Sequence, residues 1–254
     1  MRFASLGSGS EGNALLVHAG ATVVMIDCGF GVRDTVTRLA RHGLAPCDVN
    51  AILVTHEHAD HVGGVPAFAA KYDIPVWATF GTLEASAGRF DGCERVYGFD
   101  SHDCFAIGDL EVRPFPVPHD AREPVQFVIG DGAHRMGLLT DIGMSTPHVE
   151  ASLSGCDALV LECNHDRDLL ASSDYPFMLK QRITGRFGHL HNEAAADLLS
   201  RIDTSRLTHV VAAHLSRQNN TPEKARAALA GAFSCAEEWI GIADQETGFG
   251  WRTC

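Results

Sequence analysis

Four potential metal ligands stand close together, directly after a short apolar run at residues 51–54. They are His56, His58, Asp60 and His61, within the segment T-H-E-H-A-D-H. Alternate side chains of an extended chain point the same way, so His56 and His58 can share one ion. Asp60 and His61 lie where the chain bends into the next helix and can face a second ion. Burying four such groups without partners would be costly, so the sequence predicts a metal site rather than a solvated turn.

Three further candidate ligands each end an apolar segment. His119 follows P-F-P-V-P, Asp141 follows M-G-L-L-T, and His214 follows T-H-V-V-A-A. A single histidine or aspartate at a strand end is usually structural. Together with the first cluster, however, these three are expected to converge, because α/β proteins build their sites at the carboxyl ends of strands.

The elements that must position these residues are predicted from hydrophobic patterns. Continuous or alternating apolar runs predict strands, and apolar residues at helical spacing predict helices. The strand-rich middle suits an antiparallel meander or hairpins, and the segments at 14–20 and 22–29 are predicted to pair as a hairpin. Strands and helices alternate on both sides of the middle, which favours α/β layering. Helix starts are predicted with Asn192 as one N-cap and Thr221, followed by proline, as another. The predicted strands outside the middle are 14–20, 22–29, 51–55, 74–78, 157–163 and 207–214, and the predicted helices are 34–43, 62–72, 192–202 and 221–232.

Three short segments match motifs of other protein classes, but the surrounding sequence does not fit those motifs. Residues 7–12 spell G-x-G-x-x-G, but a strand follows instead of the helix that a dinucleotide fingerprint must open. The stretch at 56–60 resembles H-E-x-x-H, but Asp60 stands where the second zinc-binding histidine would be. A zinc deaminase would need P-C-x-x-C, which this sequence lacks.

Composition and charge restrict the class of protein. The 254 residues carry 20 basic and 32 acidic side chains, a formal charge of −12 that argues against non-specific binding to nucleic acid. An apolar fraction of 45% and the lack of a linker predict a single folded domain over 1–254. No apolar run could span a membrane and no signal peptide is recognised, so the expected location is the cytoplasm. Eight cysteines without a C-x-x-C pair are expected to be reduced and mostly buried.

The chain resembles the metallo-β-lactamase superfamily. T-H-E-H-A-D-H is similar to its H-x-H-x-D-H signature, and the other four motifs of that family match Asp27, His119, Asp141 and His214 in order. The resemblance implies an α/β fold, a four-layer αββα sandwich with the site along one edge. It also implies two divalent ions bridged by Asp141, with Asp27 supporting the ligands through hydrogen bonds. The implied ligands are His56, His58 and His119 for one ion, and Asp60, His61 and His214 for the other.

The chemistry that the resemblance implies is hydrolysis at a dinuclear centre. Two ions lower the pKa of a shared water to give a metal-bridging hydroxide, and they clamp the attacking and leaving oxygens. Nitrogen-rich ligands combined with carboxylates suit zinc and also admit manganese. Asp60 is placed to accept a proton from the water as general base, or to orient it.

The C-terminal half resembles two nuclease branches of this superfamily. The segments L-V-L-E-C-N-H-D, G-H-L-H-N-E-A-A and H-L-S-R-Q-N-N are similar to the YycJ/WalJ branch and, more distantly, to the tRNA 3′-processing endonucleases. The second resemblance implies that Glu162 and His189 together donate a proton to the leaving oxygen. The first also covers L-G-S-G-S-E-G-N near the start of the chain. Predicted substrate contacts are Ser8, Ser10, Asn13, His165 and Asn220.

Three functions stay open on the sequence alone. The prediction is a phosphodiesterase or nuclease, DNA exonuclease-like, acting on short or end-held nucleic acid because the chain is acidic. A thioester or lactone hydrolase would use the same centre, but usually needs its own binding loops or a helical extension. A non-catalytic regulatory protein would be expected to have lost a ligand, and all seven are present. No membrane contact is predicted, and the oligomeric state stays open.

Overall fold

Two seven-stranded β-sheets pack face to face in the computed structural model, which describes residues 1 to 254. Helices cover the outer face of each sheet, so the predicted αββα sandwich is confirmed. The strands are β1 (Arg2–Gly7), β2 (Ala14–Ala19), β3 (Thr22–Ile26), β4 (Ala51–Leu53), β5 (Val76–Thr79), β6 (Val96–Phe99), β7 (Phe105–Ile107), β8 (Leu110–Pro116), β9 (Val125–Gly130), β10 (Arg135–Leu139), β11 (Ala158–Glu162), β12 (His209–Ala213), β13 (Gly241–Ile242) and β14 (Phe249–Thr253). The helices are α1 (Val32–Arg41), α2 (Ala59–Val62), α3 (Val65–Tyr72), α4 (Phe80–Ala85), α5 (Pro147–Leu153), α6 (Arg167–Ser172), α7 (Phe177–Thr184), α8 (Asn192–Arg201) and α9 (Pro222–Phe233).

The first sheet has the strand order β14-β1-β2-β3-β4-β5-β6. β1, β2 and β3 are antiparallel neighbours, and the predicted hairpin between β2 and β3 is present. From β3 to β6 the strands are parallel, and helices α1 to α4 form their crossovers. Parallel neighbours need such crossovers, and as a result the carboxyl ends of β3 and β4 lie at the same edge.

The second sheet has the strand order β13-β12-β11-β10-β9-β8-β7. β7 to β10 form the antiparallel meander predicted for the middle of the chain. From β10 to β13 the strands are parallel, and helices α5 to α9 lie in the connections. The carboxyl ends of β10, β11 and β12 therefore also share one edge.

Three apolar layers hold the sandwich together. The central layer joins the inner faces of both sheets and includes Leu53 from β4, Phe127 from β9 and Val160 from β11. In the outer layers, α3 packs on the first sheet through Phe68, and α8 packs on the second through Leu198. Side chains that are buried on both faces of a strand remove large apolar areas from water, so the strand ends that carry the candidate ligands are held by a rigid scaffold.

Two helix boundaries differ from the sequence predictions. The helix predicted at 62–72 begins only at Val65, and a separate short helix, α2, ends at Val62. The two are separate because the N–H of Gly64 donates to the carbonyl of Cys28 instead of to a carbonyl of the preceding turn. The predicted cap Asn192 is wrong, because the Nδ1 atom of His191 caps α8 by accepting from the backbone N–H of Ala194. The predicted cap Thr221 is confirmed, since its side chain accepts from the N–H of Lys224.

The cysteines are all free thiols, as predicted. The expectation that most are buried is wrong, because only Cys28, Cys156 and Cys163 lie in the core. Cys47 and Cys104 are exposed in connecting segments, where the side chain does not pack against the core. Separately, none of the helices combines the length and the apolar character that crossing a membrane requires.

Several short elements escaped prediction. They comprise β1, the edge strands β6, β13 and β14, and the helices α4 to α7. Each is too short, or too mixed in polarity, to produce a clear period of 2 or 3.6 residues. Helix α7 is the extreme case, since none of its residues is buried and no apolar stripe marks it.

Candidate metal centre

Candidate ligands from both sheets meet at one edge of the sandwich. Asp27 directly follows β3, the histidine cluster follows β4, and His119, Asp141 and His214 follow β8, β10 and β12. Asp27, Asp141 and His214 have positive φ angles of 60°, 53° and 55°. This left-handed conformation is uncommon for residues other than glycine, and such strain clusters at functional sites. The chain thus turns sharply at each of these strand ends.

Three imidazoles, those of His56, His58 and His119, bring ring nitrogens within 4.8 Å of one another. Nδ1 of His119 lies 3.1 Å from the carbonyl of Gly188, and Nε2 of His58 lies 3.2 Å from the carbonyl of Asp120. A carbonyl only accepts, so these nitrogens carry the protons in the neutral rings. The remaining nitrogens, Nε2 of His119 and Nδ1 of His58, face each other at 3.2 Å with bare lone pairs.

His56 completes this group by the same logic. The hydroxyl of Thr55 donates to Asp27, so it accepts from Nδ1 of His56 at 3.0 Å. Nε2 of His56 is buried and has no hydrogen-bond partner. Three bare nitrogens that converge in a buried place would be costly on their own, whereas a cation satisfies all three. The residues present therefore fit a metal ion of the kind that imidazoles bind.

A second group contains Asp60, His61 and His214. Nδ1 of His61 lies 2.8 Å from the Oδ2 atom of Asp27, which leaves Nε2 to face the carboxylates of Asp60 and Asp141. His214 is held in the same way, with Nδ1 3.2 Å from Glu162 and Nε2 3.4 Å from Asp60. Each ring thus has one nitrogen fixed by a carboxylate behind it and the other facing the centre.

Asp141 lies between the two groups. Its Oδ2 atom is 3.0 Å from Nε2 of His61, and its Oδ1 atom is 3.9 Å from Nε2 of His119 and 3.6 Å from Nδ1 of His214. Oδ2 is buried without an aligned hydrogen bond. The two oxygens of the Asp141 carboxylate therefore lie close to imidazoles of both groups.

Asp27 stands behind the second group rather than in it. Its carboxylate accepts from the N–H and the hydroxyl of Thr55, both at 2.8 Å, and contacts His61. All of these partners are buried. A carboxylate placed in this way can fix the tautomer and the orientation of the His61 imidazole.

Glu162 and His189 form a neighbouring pair. Nδ1 of His189 lies 2.8 Å from Oε1 of Glu162, and that same oxygen contacts His214. Oε2 of Glu162 accepts from the backbone N–H groups of Ile142 and Leu190. Glu162 is fully buried, whereas His189 lines the cavity and its Nε2 makes no hydrogen bond within the protein. Glu162 and His189, the pair predicted from the sequence, therefore lie in contact. Glu162 also contacts His214, so it positions a candidate ligand as well.

The electrostatics of the site favour positive charge at its centre. Burial opposes ionisation of Glu162, yet His189 and His214 outweigh burial and lower its pKa to about 2. Burial likewise opposes the charged form of His214, but the carboxylates of Asp141, Asp60 and Glu162 raise its pKa to about 10. Burial and the neighbouring imidazoles lower the pKa of His56. The carboxylates thus create a field that suits cations, while His56 stays neutral and able to act as a ligand.

A cavity of about 380 Å³ opens over these residues. Of the five predicted substrate contacts, only Ser10 lines it. Ser8 and Asn13 bond each other beneath the centre, where Ser8 accepts from the N–H of His214 and Asn13 donates to the carbonyl of Asp60. Their polar groups are therefore committed to positioning the candidate ligands.

The other two predicted substrate contacts are also internal. Asn220 donates to the carbonyl of Cys163 and to the side chain of Asn192, which leaves it buried between α8 and β11. His165 is buried beside Asn164 and does not line the cavity. For Asn220 the physical reason is that a buried amide must find internal partners, whereas Nε2 of His165 is buried without a hydrogen-bond partner.

Several cavity residues escaped sequence reasoning. Asp120 follows His119, and its carboxylate binds Nε of Arg182 at 2.6 Å. Most of the other cavity-lining residues that the sequence did not predict come from the segment around α7. They include Tyr175, Leu179 and Ile183. The one available signal was composition, because residues 175–188 contain three basic residues and no acidic one.

Comparison with known proteins supports the resemblance drawn from the motifs. A family model described as a beta-lactamase superfamily domain matches residues 22–214. The exodeoxyribonuclease YycJ of Bacillus anthracis is 36% identical over 229 residues, which cover 89% of this chain and 86% of that protein. The exodeoxyribonuclease WalJ of Streptococcus pneumoniae is 30% identical over 246 residues, covering 95% and 91%. Proteins named ribonuclease Z match over shorter stretches.

A solved structure shares the fold. The metallo-beta-lactamase fold protein YhfI of Bacillus subtilis superposes with a TM-score of 0.76 at 15% identity, over 99% of both chains. At this identity the likeness concerns the fold alone. The relatives that span most of the chain are named as hydrolytic enzymes, so the prediction of an enzyme of the hydrolase class is confirmed.

Proposed function

This chain belongs to the beta-lactamase superfamily, and from that membership we propose that it is a metal-dependent nuclease acting as a DNA exonuclease. The observation that carries the proposal is the set of bare imidazole nitrogens on His56, His58 and His119, which converge beside a cavity. The names of the two relatives that cover most of the chain supply the substrate class.

The proposed centre holds two divalent ions. Zinc is the proposed metal and manganese the alternative, because nitrogen donors dominate and carboxylates complete the sets. Asp141 is the proposed bridge and Asp27 the proposed support. The ligands would be His56, His58 and His119 for one ion, and Asp60, His61 and His214 for the other. Ions bound there would polarise the phosphodiester and supply an acidified water as the nucleophile.

Side chains at the centre would accept and donate the protons of the reaction. Asp60 is partly exposed and lines the cavity, and its Oδ2 atom is held by the amide of Asn13 at 3.3 Å. A carboxylate fixed in this way can orient the attacking water or accept its proton. His189 would act at the other end of the reaction: Glu162 binds Nδ1, so the proton on Nε2 is the one available for the leaving oxygen.

Substrate size follows from the cavity and the charge. About 380 Å³ accommodates a nucleotide end better than a continuous duplex. A formal charge of −12 also argues against a long electrostatic groove. We therefore propose short or end-held strands as substrates, and a cytoplasmic location where such substrates occur.

Metal content and hydrolysis test this proposal directly. Purified protein is expected to carry about two transition-metal ions and to hydrolyse bis-(p-nitrophenyl) phosphate, because seven candidate ligands converge. Dialysis against a chelator should remove both the metal and the activity, and adding Zn²⁺ or Mn²⁺ should restore them. Elemental analysis and a colorimetric assay give the answer. Metal-free protein without phosphodiesterase activity, or turnover of a thioester or lactone alone, would contradict it.

The proton-donor role of His189 predicts a loss of turnover at full metal content. Glutamine in its place keeps a polar side chain but has no acidic proton, so kcat on an oligonucleotide is expected to fall about 100-fold. Steady-state kinetics and elemental analysis of H189Q check this. The matched control is H191Q, since His191 caps α8 outside the cavity and should retain its turnover. Loss of metal from H189Q would show that His189 is a ligand instead.

A further inference from the structure

One permanent cation lines the cavity above the candidate metal centre. Arg182, on helix α7, is the only lysine or arginine among the residues that line it. The carboxylates of Asp60, Asp120 and Asp141 line the same cavity. The hydrogen bond to Asp120, together with the charges of Asp120 and Asp60, raises the pKa of Arg182, so the guanidinium stays charged. Neither the proposed metal sites nor the proton donor His189 gives this cation a role.

Asp120 holds the guanidinium of Arg182 by one nitrogen only. Nε of Arg182 donates to Oδ2 of Asp120 at 2.6 Å, whereas Nη1 and Nη2 make no hydrogen bond within the protein. The side chain of Arg182 is 59% exposed. An arginine that served only to pair with a carboxylate would be expected to use two parallel N–H bonds. The edge of the guanidinium that carries Nη1 and Nη2 is therefore available to a ligand in the cavity.

The residue that holds this guanidinium is itself fixed to the candidate centre. The N–H of Asp120 donates to the carbonyl of Phe187 at 3.1 Å, and its carbonyl accepts from Nε2 of His58 at 3.2 Å. Its Oδ1 atom lies 3.5 Å from Nε2 of His119, whereas Oδ2 binds Arg182. The carboxylate thus separates the guanidinium from the first imidazole group. The guanidinium is held beside the centre rather than in it, and a cation fixed in advance loses little freedom when a ligand binds.

We propose that Arg182 binds a second phosphate of the substrate, the one next to the phosphodiester that is hydrolysed at the centre. This inference rests on the proposed nuclease function and names a residue that selects its substrate. Arginine recognises phosphate oxygens through parallel N–H bonds, which the free edge of the guanidinium can supply. In a strand the second phosphate is either a terminal monoester or the next internal diester. A substrate with two neighbouring phosphates is therefore preferred over an isolated phosphodiester.

Thymidine nucleotides test the second phosphate separately from hydrolysis. Thymidine 3′,5′-bisphosphate carries two phosphates and no phosphodiester, whereas the 3′- and 5′-monophosphates carry one phosphate each. In calorimetric titrations, the metal-loaded wild type is expected to bind the bisphosphate about tenfold more tightly than either monophosphate, because a hydrogen bond to a charged group contributes that much. R182Q should lose this difference. The matched control is R186Q, since Arg186 is also exposed but does not line the cavity, and it should keep the difference.

Steady-state kinetics on short thymidine nucleotides distinguish the two sources of the second phosphate. TpT has one phosphate, pTpT and TpTp add a terminal monoester, and TpTpT adds an internal diester. R182Q is expected to raise KM about tenfold for the substrates whose second phosphate Arg182 binds. It should leave kcat unchanged, as well as the hydrolysis of TpT and of bis-(p-nitrophenyl) phosphate. A larger effect on pTpT or TpTp assigns the monoester, and a larger effect on TpTpT assigns the diester.

Two results would overturn this role of Arg182. The first is equal affinity of R182Q and wild type for the bisphosphate. The second is an equal loss of activity on bis-(p-nitrophenyl) phosphate and on the thymidine nucleotides, because Arg182 would then act on the reacting phosphate or, through Asp120, on the candidate ligands. Wild-type protein that binds no metal and does not hydrolyse bis-(p-nitrophenyl) phosphate would overturn the proposed function, and this inference with it.

Discussion

Replacing Asp141 by asparagine is expected to lower phosphodiester hydrolysis by more than about 100-fold and to reduce the bound metal below the wild-type content. Loss of a group that merely supports a ligand costs about 10- to 100-fold, and Asp141 lies between both imidazole groups. Asparagine has the same shape and tolerates the left-handed backbone at φ 53°. The change therefore removes a charge without breaking the turn. Elemental analysis and kinetics on bis-(p-nitrophenyl) phosphate measure the effect.

The chain offers a close control for this substitution. Asp73 also has a φ of 53°, at the end of α3, but is exposed and far in the fold from the ligand edge. D73N should keep its metal and its activity. Thermal unfolding of D141N should show a folded protein with a lowered melting temperature, because the buried carboxylate pairs with His61 and His214 and removing one partner of a buried ion pair is destabilising. Full metal and activity in D141N would rule out a bridging role.

Replacing Glu162 by glutamine is expected to destabilise the protein by about 3 kcal/mol, within the range for breaking a buried charge network. One carboxylate oxygen binds His189 and His214, and the other accepts from Ile142 and Leu190. All four partners donate hydrogen atoms, so the amide group of glutamine must face a donor whichever way it turns. Urea unfolding measured with metal present checks the size of the loss.

A surface glutamate gives the comparison for this second variant. Glu150 pairs with Arg201 near the surface, and E150Q should change stability by less than about 1 kcal/mol. Turnover of E162Q should fall as well, because His189 loses the acceptor that orients it. A stable E162Q protein with wild-type turnover would show that neither His189 nor His214 depends on this carboxylate.

The double contact of Glu162 also changes how the pair is tested. From the sequence, Glu162 and His189 form one unit that donates a proton. In the structure Oε1 of Glu162 also lies within hydrogen-bond distance of His214, 3.2 Å from Nδ1, so its loss disturbs a candidate ligand as well. Nε2 of His189 makes no hydrogen bond within the protein. Nδ1 also lies 3.5 Å from Oδ1 of Asp141, but H189Q leaves the contact between Glu162 and His214 intact, which makes it the cleaner test of proton donation.

The candidate ligands could be predicted because their signal is local and chemical. Histidines and aspartates at the ends of apolar runs can be recognised as candidate ligands from residue type and position alone. The strand ends of α/β folds then bring them to one edge. The meander, the β2–β3 hairpin and the Thr221 cap were equally local, since each depends on a few neighbouring residues. The substrate contacts were not local. Ser8, Asn13 and Asn220 have polar groups that suit a ligand, but their partners come from distant parts of the chain.

The sequence by itself therefore determined the family and, through that resemblance, the αββα sandwich. It also determined the residues that can meet at the edge of the sandwich, because the motifs that carry them are local features of the chain. Only the tertiary structure decided which nitrogen of each imidazole faces the centre. That choice depends on carbonyls and carboxylates far along the chain, such as Gly188 behind His119 and Asp27 behind His61. It also showed that the rings of Phe177 and Phe187 are exposed, because exposure depends on what the rest of the fold leaves uncovered.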